Sequence, residues 1–285
     1  MKAMNLSNSP YFKHTAALPF ESCKEAIRIY LPSEKGYVNF NLLLSQKEEI
    51  NCKTWRLGQA FALEYGSDSE FAITPPRAEW DMAVMIEGRP DFIGGFAHGD
   101  ECFSSFRLFI DGKEAKPLSE DEIVPFSELR IFVDSVGFDP LDGTTPALIH
   151  KKEYIVDKTK IRLEQRVEWL NDYSLGSSYL AMMPPIKALT THYVTNLSEI
   201  ENQIKSGISE SGVSSLTLYG KDSGFSFKMS IPKYLTLPGS NQMLITDNGG
   251  NGYNKMYFFA CKGARVFSGD VWETVTEYEI HYKDF

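Results

Sequence analysis

The chain has no Cys-x-x-Cys pair, no block of Lys and Arg, and no apolar run of membrane-spanning length. Each absence removes a class of function. The four cysteines, Cys23, Cys52, Cys102 and Cys261, stand far apart. No zinc cluster or redox pair is written locally, and they read as free, buried thiols. Without a long apolar run there is no transmembrane helix to expect. The opening MKAMNLSNSPYFKHTAALPF lacks the apolar centre of a secretory signal. A net charge of −9 without a basic block argues against nucleic acid as a partner. An anionic polymer is left only a local basic groove. No Gly-x-Ser-x-Gly elbow, P-loop or Rossmann fingerprint occurs, so serine hydrolase and nucleotide chemistry have no motif here. Histidines number five. Helix signals are almost missing: only Ser198–Ser206, with Ser198 as N-cap and Gly207 as stop, reads as one short helix.

What is present is β patterning. Ile27, Ile29 and Leu31 alternate with Arg28 and Tyr30, and Val38, Phe40 and Leu42 with Asn39 and Asn41. Residues 55–64, 70–74 and 127–136 read as further strands, and 80–87 as a central one, apolar on both faces. In 161–170, Ile161, Leu163, Gln165, Val167 and Trp169 share one parity, and Arg162, Glu164, Arg166 and Glu168 take the other. Phe225, Phe227, Met229 and Ile231 alternate with Ser226, Lys228 and Ser230. The closing stretch sets Trp272, Thr274, Thr276, Tyr278, Ile280 and Tyr282 against a charged face. Many strands, turn signals between them and at most one short helix give an all-β chain, a large antiparallel β-sandwich of jelly-roll or supersandwich type. Residues 1–20 read as an arm and 21–285 as a single domain.

The densest chemistry lies in DFIGGFAHGDECFSSFRLFIDG, Asp91 to Gly112. A glycine-rich turn carries His98, Asp100 and Glu101 into a strand that ends at the hairpin signal Asp111-Gly112. Rigid sheets commonly present sites on such turns. A second cluster is ALIHKKEYIV, where strand parity puts His150, Lys152 and Tyr154 on one face: a base, a cation and an acid. A third, YLAMMPPIKALTTHY, adds Tyr179, Lys187, His192 and Tyr193. Each has a plainer reading, as turn, exposed edge strand or buried strand. His98, Glu101, His150 and His192 show no ligand spacing for a metal, so neither a metal nor another cofactor is expected. Glu101 with Asp81, Glu79 or Asp91 could form a glycosidase pair only if they face each other in space.

The strand at Trp80, FIGGFAHGDE, HKKEY and the closing GDVWETVTEYEIHY resemble the large β-sandwiches of carbohydrate-active proteins, both mutarotase-like supersandwiches and polysaccharide lyases. GDVWET also resembles the ends of phage tail-associated sugar-binding proteins. The resemblance implies a polysaccharide or oligosaccharide partner, and lyase-type roles for His150 and Tyr154. The expectation is a lyase acting on a uronate-containing glycan, with His98, Glu101, His150 and Tyr154 catalytic and Arg107, Lys152, Tyr179 and His192 binding substrate. Two alternatives stand beside it. One is a non-catalytic glycan-binding or phage tail-associated protein with Trp55, Trp80 and Tyr253 as platforms. The other is a sugar epimerase or mutarotase. No nucleic acid or membrane partner is expected, and a homo-oligomer is compatible with the sequence.

Overall fold

The computed structural model describes residues 9–16, 23–47, 52–94, 101–115, 119–204, 207–235, 237, 242–248 and 252–283. In chain order the strands are β1 Tyr11–Ala16, β2 Cys23–Ser33, β3 Gly36–Lys47, β4 Cys52–Glu64, β5 Glu70–Ala72, β6 Ala83–Met85, β7 Phe92–Gly94 and β8 Glu101–Ile110. There follow β9 Lys113–Glu114, β10 Ile123–Pro125, β11 Leu129–Phe138, β12 Pro146–Val156, β13 Ile161–Trp169, β14 Tyr173–Ser174, β15 Ser178–Met183 and β16 His192–Thr195. The last are β17 Ser198–Gln203, β18 Ile208–Ser211, β19 Ser215–Gly220, β20 Phe225–Lys233, β21 Gln242–Asn248, β22 Tyr253–Cys261, β23 Arg265–Val266 and β24 Val271–Tyr282. Among the described residues there is no α-helix, only a single 3₁₀ turn at Lys187–Leu189.

These strands form one wide antiparallel sheet, two narrower ones and a two-stranded ribbon of β14 and β23. The ten-stranded sheet runs β17-β16-β19-β20-β24-β13-β12-β11-β8-β9. One six-stranded sheet runs β10-β1-β2-β3-β4-β5, the other β18-β21-β22-β15-β6-β7. Both lie against the same face of the ten-stranded sheet. Ile29, Val38, Phe40 and Leu57 of the first pack with Ile131, Tyr154, Leu163 and Tyr278. Val84, Ile93 and Leu180 of the second pack with Leu148, Val167, Trp169 and Trp272. The period-two reading holds in detail: β13 alternates buried and part-exposed residues along its length, and Phe225, Phe227, Met229 and Ile231 are all buried. The fold is an all-β antiparallel sandwich.

Three local expectations are corrected. Ser198–Gln203 is not a helix but strand β17, paired with β16 at the margin of the ten-stranded sheet. Its polar, charged sequence suits helix and edge strand alike, and the pairing decides. Tyr11–Ala16, inside the expected arm, is strand β1, because Tyr11 and Phe12 are buried between β2 and β10. The apolar stretch after Trp80 is a strand only at Ala83–Met85; Trp80 and Asp81 lie in the connection between the two six-stranded sheets. Of the glycine turn, Gly95, His98 and Gly99 lie outside the described residues. Gly94 is left-handed (φ +81°), and a Cβ there would sit 2.3 Å from the Met82 carbonyl oxygen, so only glycine fits. Asp111 and Gly112 both have positive φ, as a two-residue hairpin of type I′ requires.

Candidate functional site

On the inner face of β12, parity turns His150, Lys152 and Tyr154 inward, as the sequence reading has it. Glu101, at the start of β8, meets them across the sheet. Its Oε1 lies 3.2 Å from His150 Nδ1 and 3.3 Å from Lys152 Nζ, and accepts the Ser135 hydroxyl at 2.5 Å. Asp81 joins from the other side: its Oδ2 accepts Tyr154 OH at 2.8 Å and lies 3.3 Å from Lys152 Nζ. The residues expected to be catalytic and described here, Glu101, His150 and Tyr154, are thus brought together, with Lys152 at the centre.

They are also sealed. Glu101 is 2% exposed, His150 1%, Lys152 2% and Tyr154 1%. The reason lies in the architecture. Lys152, Gln165 and Thr274 form one register row across β12, β13 and β24. That row lies under the line where the two six-stranded sheets meet. Lys152 Nζ donates to the Trp55 carbonyl of β4 at 3.0 Å, and Gln165 Nε2 donates to the Leu180 carbonyl of β15 at 3.1 Å. The Met82 N–H donates to Gln165 Oε1 at 3.3 Å, and Tyr278 OH to the Trp80 carbonyl at 2.5 Å. Where two sheets end side by side, buried backbone polar groups still have to be satisfied; the Trp80 carbonyl accepts the Met182 N–H at 3.0 Å as well as Tyr278 OH. The ten-stranded sheet supplies polar side chains at that seam.

The electrostatics follow. Burial pushes the Glu101 carboxyl upward, but Lys152 and then His150 outweigh it and hold it well below the usual carboxylate range. Burial, then the neighbouring Asp81 carboxylate, push the Tyr154 phenol well above its ordinary value, so it remains a donor. Since Glu101 titrates lower when folded, its contribution is complete above its ordinary value of about 4.5 and is lost as the pH falls below it. Thermal melts of the wild type are therefore expected to lose Tm more steeply below that pH than melts of Glu101→Gln. Equal slopes would show that the Glu101 charge is not coupled to folding.

The expected substrate-binding residues scatter. Arg107 lies on the opposite, outer face of β8. A bulge at Ser104–Ser105 shifts the register against β11, so Glu101 and Leu108 face inward while Arg107 faces out. His192 sits on β16, five strands from β12, about 24 Å at ordinary strand spacing; it stacks on Tyr219. Tyr179 packs between Phe92 and Tyr257 in the second six-stranded sheet. Of the expected platforms, Trp80 is wholly buried and Trp55 nearly so, 4% exposed.

A pocket that the sequence reading missed opens between the first six-stranded sheet and β8. It holds about 460 Å³ and is lined by Ile27, Leu44, Trp55, Phe103, Phe106 and Leu108, with His14, Glu25, Lys53 and Glu114 around them. Trp55 and Phe106 stack with centroids 4.6 Å apart, and Lys53 Nζ lies 5.7 Å from the Phe103 ring centre. An apolar, aromatic lining with a few polar groups is the ordinary make-up of a small-molecule site. Its residues come from β1, β2, β3, β4, β8 and β9, too dispersed for any motif. The one signal was the density of aromatics in CFSSFRLF.

No family model and no curated protein sequence matches the chain. Solved structures do. The galactosidase domain of an α-galactosidase–sucrose kinase superposes over 90% of this chain and 41% of its own, with TM-score 0.50 and 8% identity. The GH36 α-galactosidase AgaB of Geobacillus stearothermophilus does so over 90% and 40%, with TM-score 0.51 and 11% identity. The chain shares the β-rich fold of these parts of the two galactosidase chains. The chain spans about two fifths of those galactosidase chains. A galactose 1-epimerase from Lactobacillus acidophilus aligns over 95% of this chain and 99% of its own, at TM-score 0.42 and 9% identity.

Proposed function

We propose that the protein is a carbohydrate-binding protein that holds a sugar ring in the Trp55–Phe103–Phe106 pocket and does not transform it. The observation that carries this reading is the separation of chemistry from access. Among the described residues, Glu101, His150 and Tyr154 are closed into the seam, whereas the aromatic pocket opens to solvent past the half-buried Phe103 and Phe106, over a buried Trp55. A sugar ring offers an apolar C–H face to an aromatic side chain and hydroxyls to Lys53, Glu25 and Glu114 at the rim. The fold likeness to galactosidase chains supports a sugar as the ligand class.

Trp55 lines the pocket, so tryptophan fluorescence serves as the probe. Titration with neutral oligosaccharides is expected to give a saturable change, and Phe103→Ala to weaken binding about tenfold, or about 1.4 kcal/mol. Phe103 is only partly buried, so the fold should survive the change. Equal affinity in wild type and Phe103→Ala would place the sugar elsewhere.

A second reading, acid–base catalysis on a sugar by β-elimination or epimerisation, is favoured by one observation. His150 Nε2, Asp81 Oδ1 and Arg56 Nε are buried around the ionised Glu101 without hydrogen-bond partners among the described residues. Unsatisfied buried groups are enriched where chemistry is done. This reading needs the seam to admit substrate, and it predicts a changed product. Elimination gives an unsaturated sugar, and epimerisation an altered stereocentre without cleavage.

A further inference from the structure

The outer face of the ten-stranded sheet is solvated, and its charges are ordered by register. Arg107, Phe132 and Glu153 stand side by side on β8, β11 and β12. In the next row come Ser105, Asp134, Lys151, Arg166 and Glu273. A groove of about 390 Å³ runs over these rows and reaches Lys233 of β20. From β8 to β20 is five strand spacings, about 24 Å, the length of an oligosaccharide rather than of one ring.

Most of the charges in this groove are already engaged. Arg166 and Lys233 share Glu273 at 3.0 and 2.8 Å. Glu153 pairs with Arg130, and Glu164 with Arg162 at 2.9 Å. Asp134 accepts the Ser105 hydroxyl at 2.7 Å. Arg107 and Lys151 differ, since neither has a carboxylate at ion-pair distance among the described residues. Arg107 is instead held over aromatic rings, its guanidinium carbon 5.1 Å from the Phe132 centroid and 6.0 Å from that of Phe109. Stacking fixes the plane of the guanidinium and leaves its donors unspent, which is the state suited to a bidentate carboxylate.

We propose that this groove binds an acidic oligosaccharide, with Arg107 taking a sugar carboxylate and Lys151 a second anionic group or a ring hydroxyl. Asp134 and Glu153 accept hydroxyl hydrogen bonds between them. The mixture selects a polyol that carries spaced acid groups. A continuous phosphate backbone would meet Asp134, Glu153, Glu164 and Glu273 along the same path and be repelled. The inference rests on the carbohydrate reading above but uses the other face of the sheet, so the two can fail separately.

The test is calorimetric titration with oligogalacturonate, a heparin-derived oligosaccharide and a neutral malto-oligosaccharide, using the full chain and Arg107→Gln, Lys151→Gln and Phe103→Ala. Both cations are exposed, so neither substitution should disturb folding. Oligogalacturonate binding is expected to weaken at least tenfold in Arg107→Gln, to weaken with added salt, and to be unaffected by Phe103→Ala. Equal affinity for oligogalacturonate in wild type and Arg107→Gln would overturn the proposal. So would tighter binding of the sulfated chain than of the uronate. Loss of neutral-sugar binding alone would strike the aromatic pocket and leave the groove standing.

Discussion

Lys152→Met is expected to cost about 3–5 kcal/mol, because it leaves buried carboxylates without their cation. Lys152 Nζ stands 3.3 Å from both Glu101 Oε1 and Asp81 Oδ2, and it also satisfies the Trp55 carbonyl. Methionine preserves the volume but none of these interactions. Urea denaturation should show the midpoint fall with the slope unchanged, since the surface exposed on unfolding is the same. The double variant Glu101→Gln/Lys152→Met should lose less than the sum of its parts, because neutralising Glu101 removes one of the two carboxylates that Lys152→Met strands. Strict additivity would show that the two do not interact, and a cost within ±0.5 kcal/mol, as for an ordinary surface change, would remove the seam argument altogether.

The second large effect lies in the apolar core. Phe227 is wholly buried, opposite Leu218 on β19 and Ile280 on β24, with the Phe225 ring 6.0 Å away. Phe227→Ala should cost about 3–5 kcal/mol through lost burial and the cavity left behind. Phe227→Leu, which keeps most of the volume, should cost distinctly less. A negligible loss for Phe227→Ala would mean that β20 presents its other face to the core.

How far this was legible varies with distance along the chain. Parity in β12, β13, β20 and β24 is local, so the sequence alone orients His150, Lys152 and Tyr154 together and Phe227 toward the core. Two local signals misled. Ser104–Ser105 bulges, which parity cannot register, and that one residue sends Arg107 to the face opposite Glu101. The segment Ser198–Gln203 has a helix's caps and charges, yet it becomes a strand because β16 offers it a partner. The position of the seam is a third matter. It depends on where two sheets far apart in sequence end against a third, and no window of sequence contains that. Hence HKKEY reads as an exposed row of able groups, whereas its three inward side chains are the polar joint beneath the meeting of two sheets. The aromatic pocket was hidden for the same reason, being assembled from six strands.

Nuclear magnetic resonance on the wild-type protein with a panel of neutral and uronate oligosaccharides tests the central claim most directly, since it reports binding and product together. The account predicts saturation transfer from protein to sugar, weakened by Phe103→Ala for neutral sugars, with the sugar's own spectrum unchanged however long the incubation. New resonances from an unsaturated or epimerised sugar, abolished in His150→Gln while that variant remains folded, would contradict it and make the buried cluster a catalytic centre.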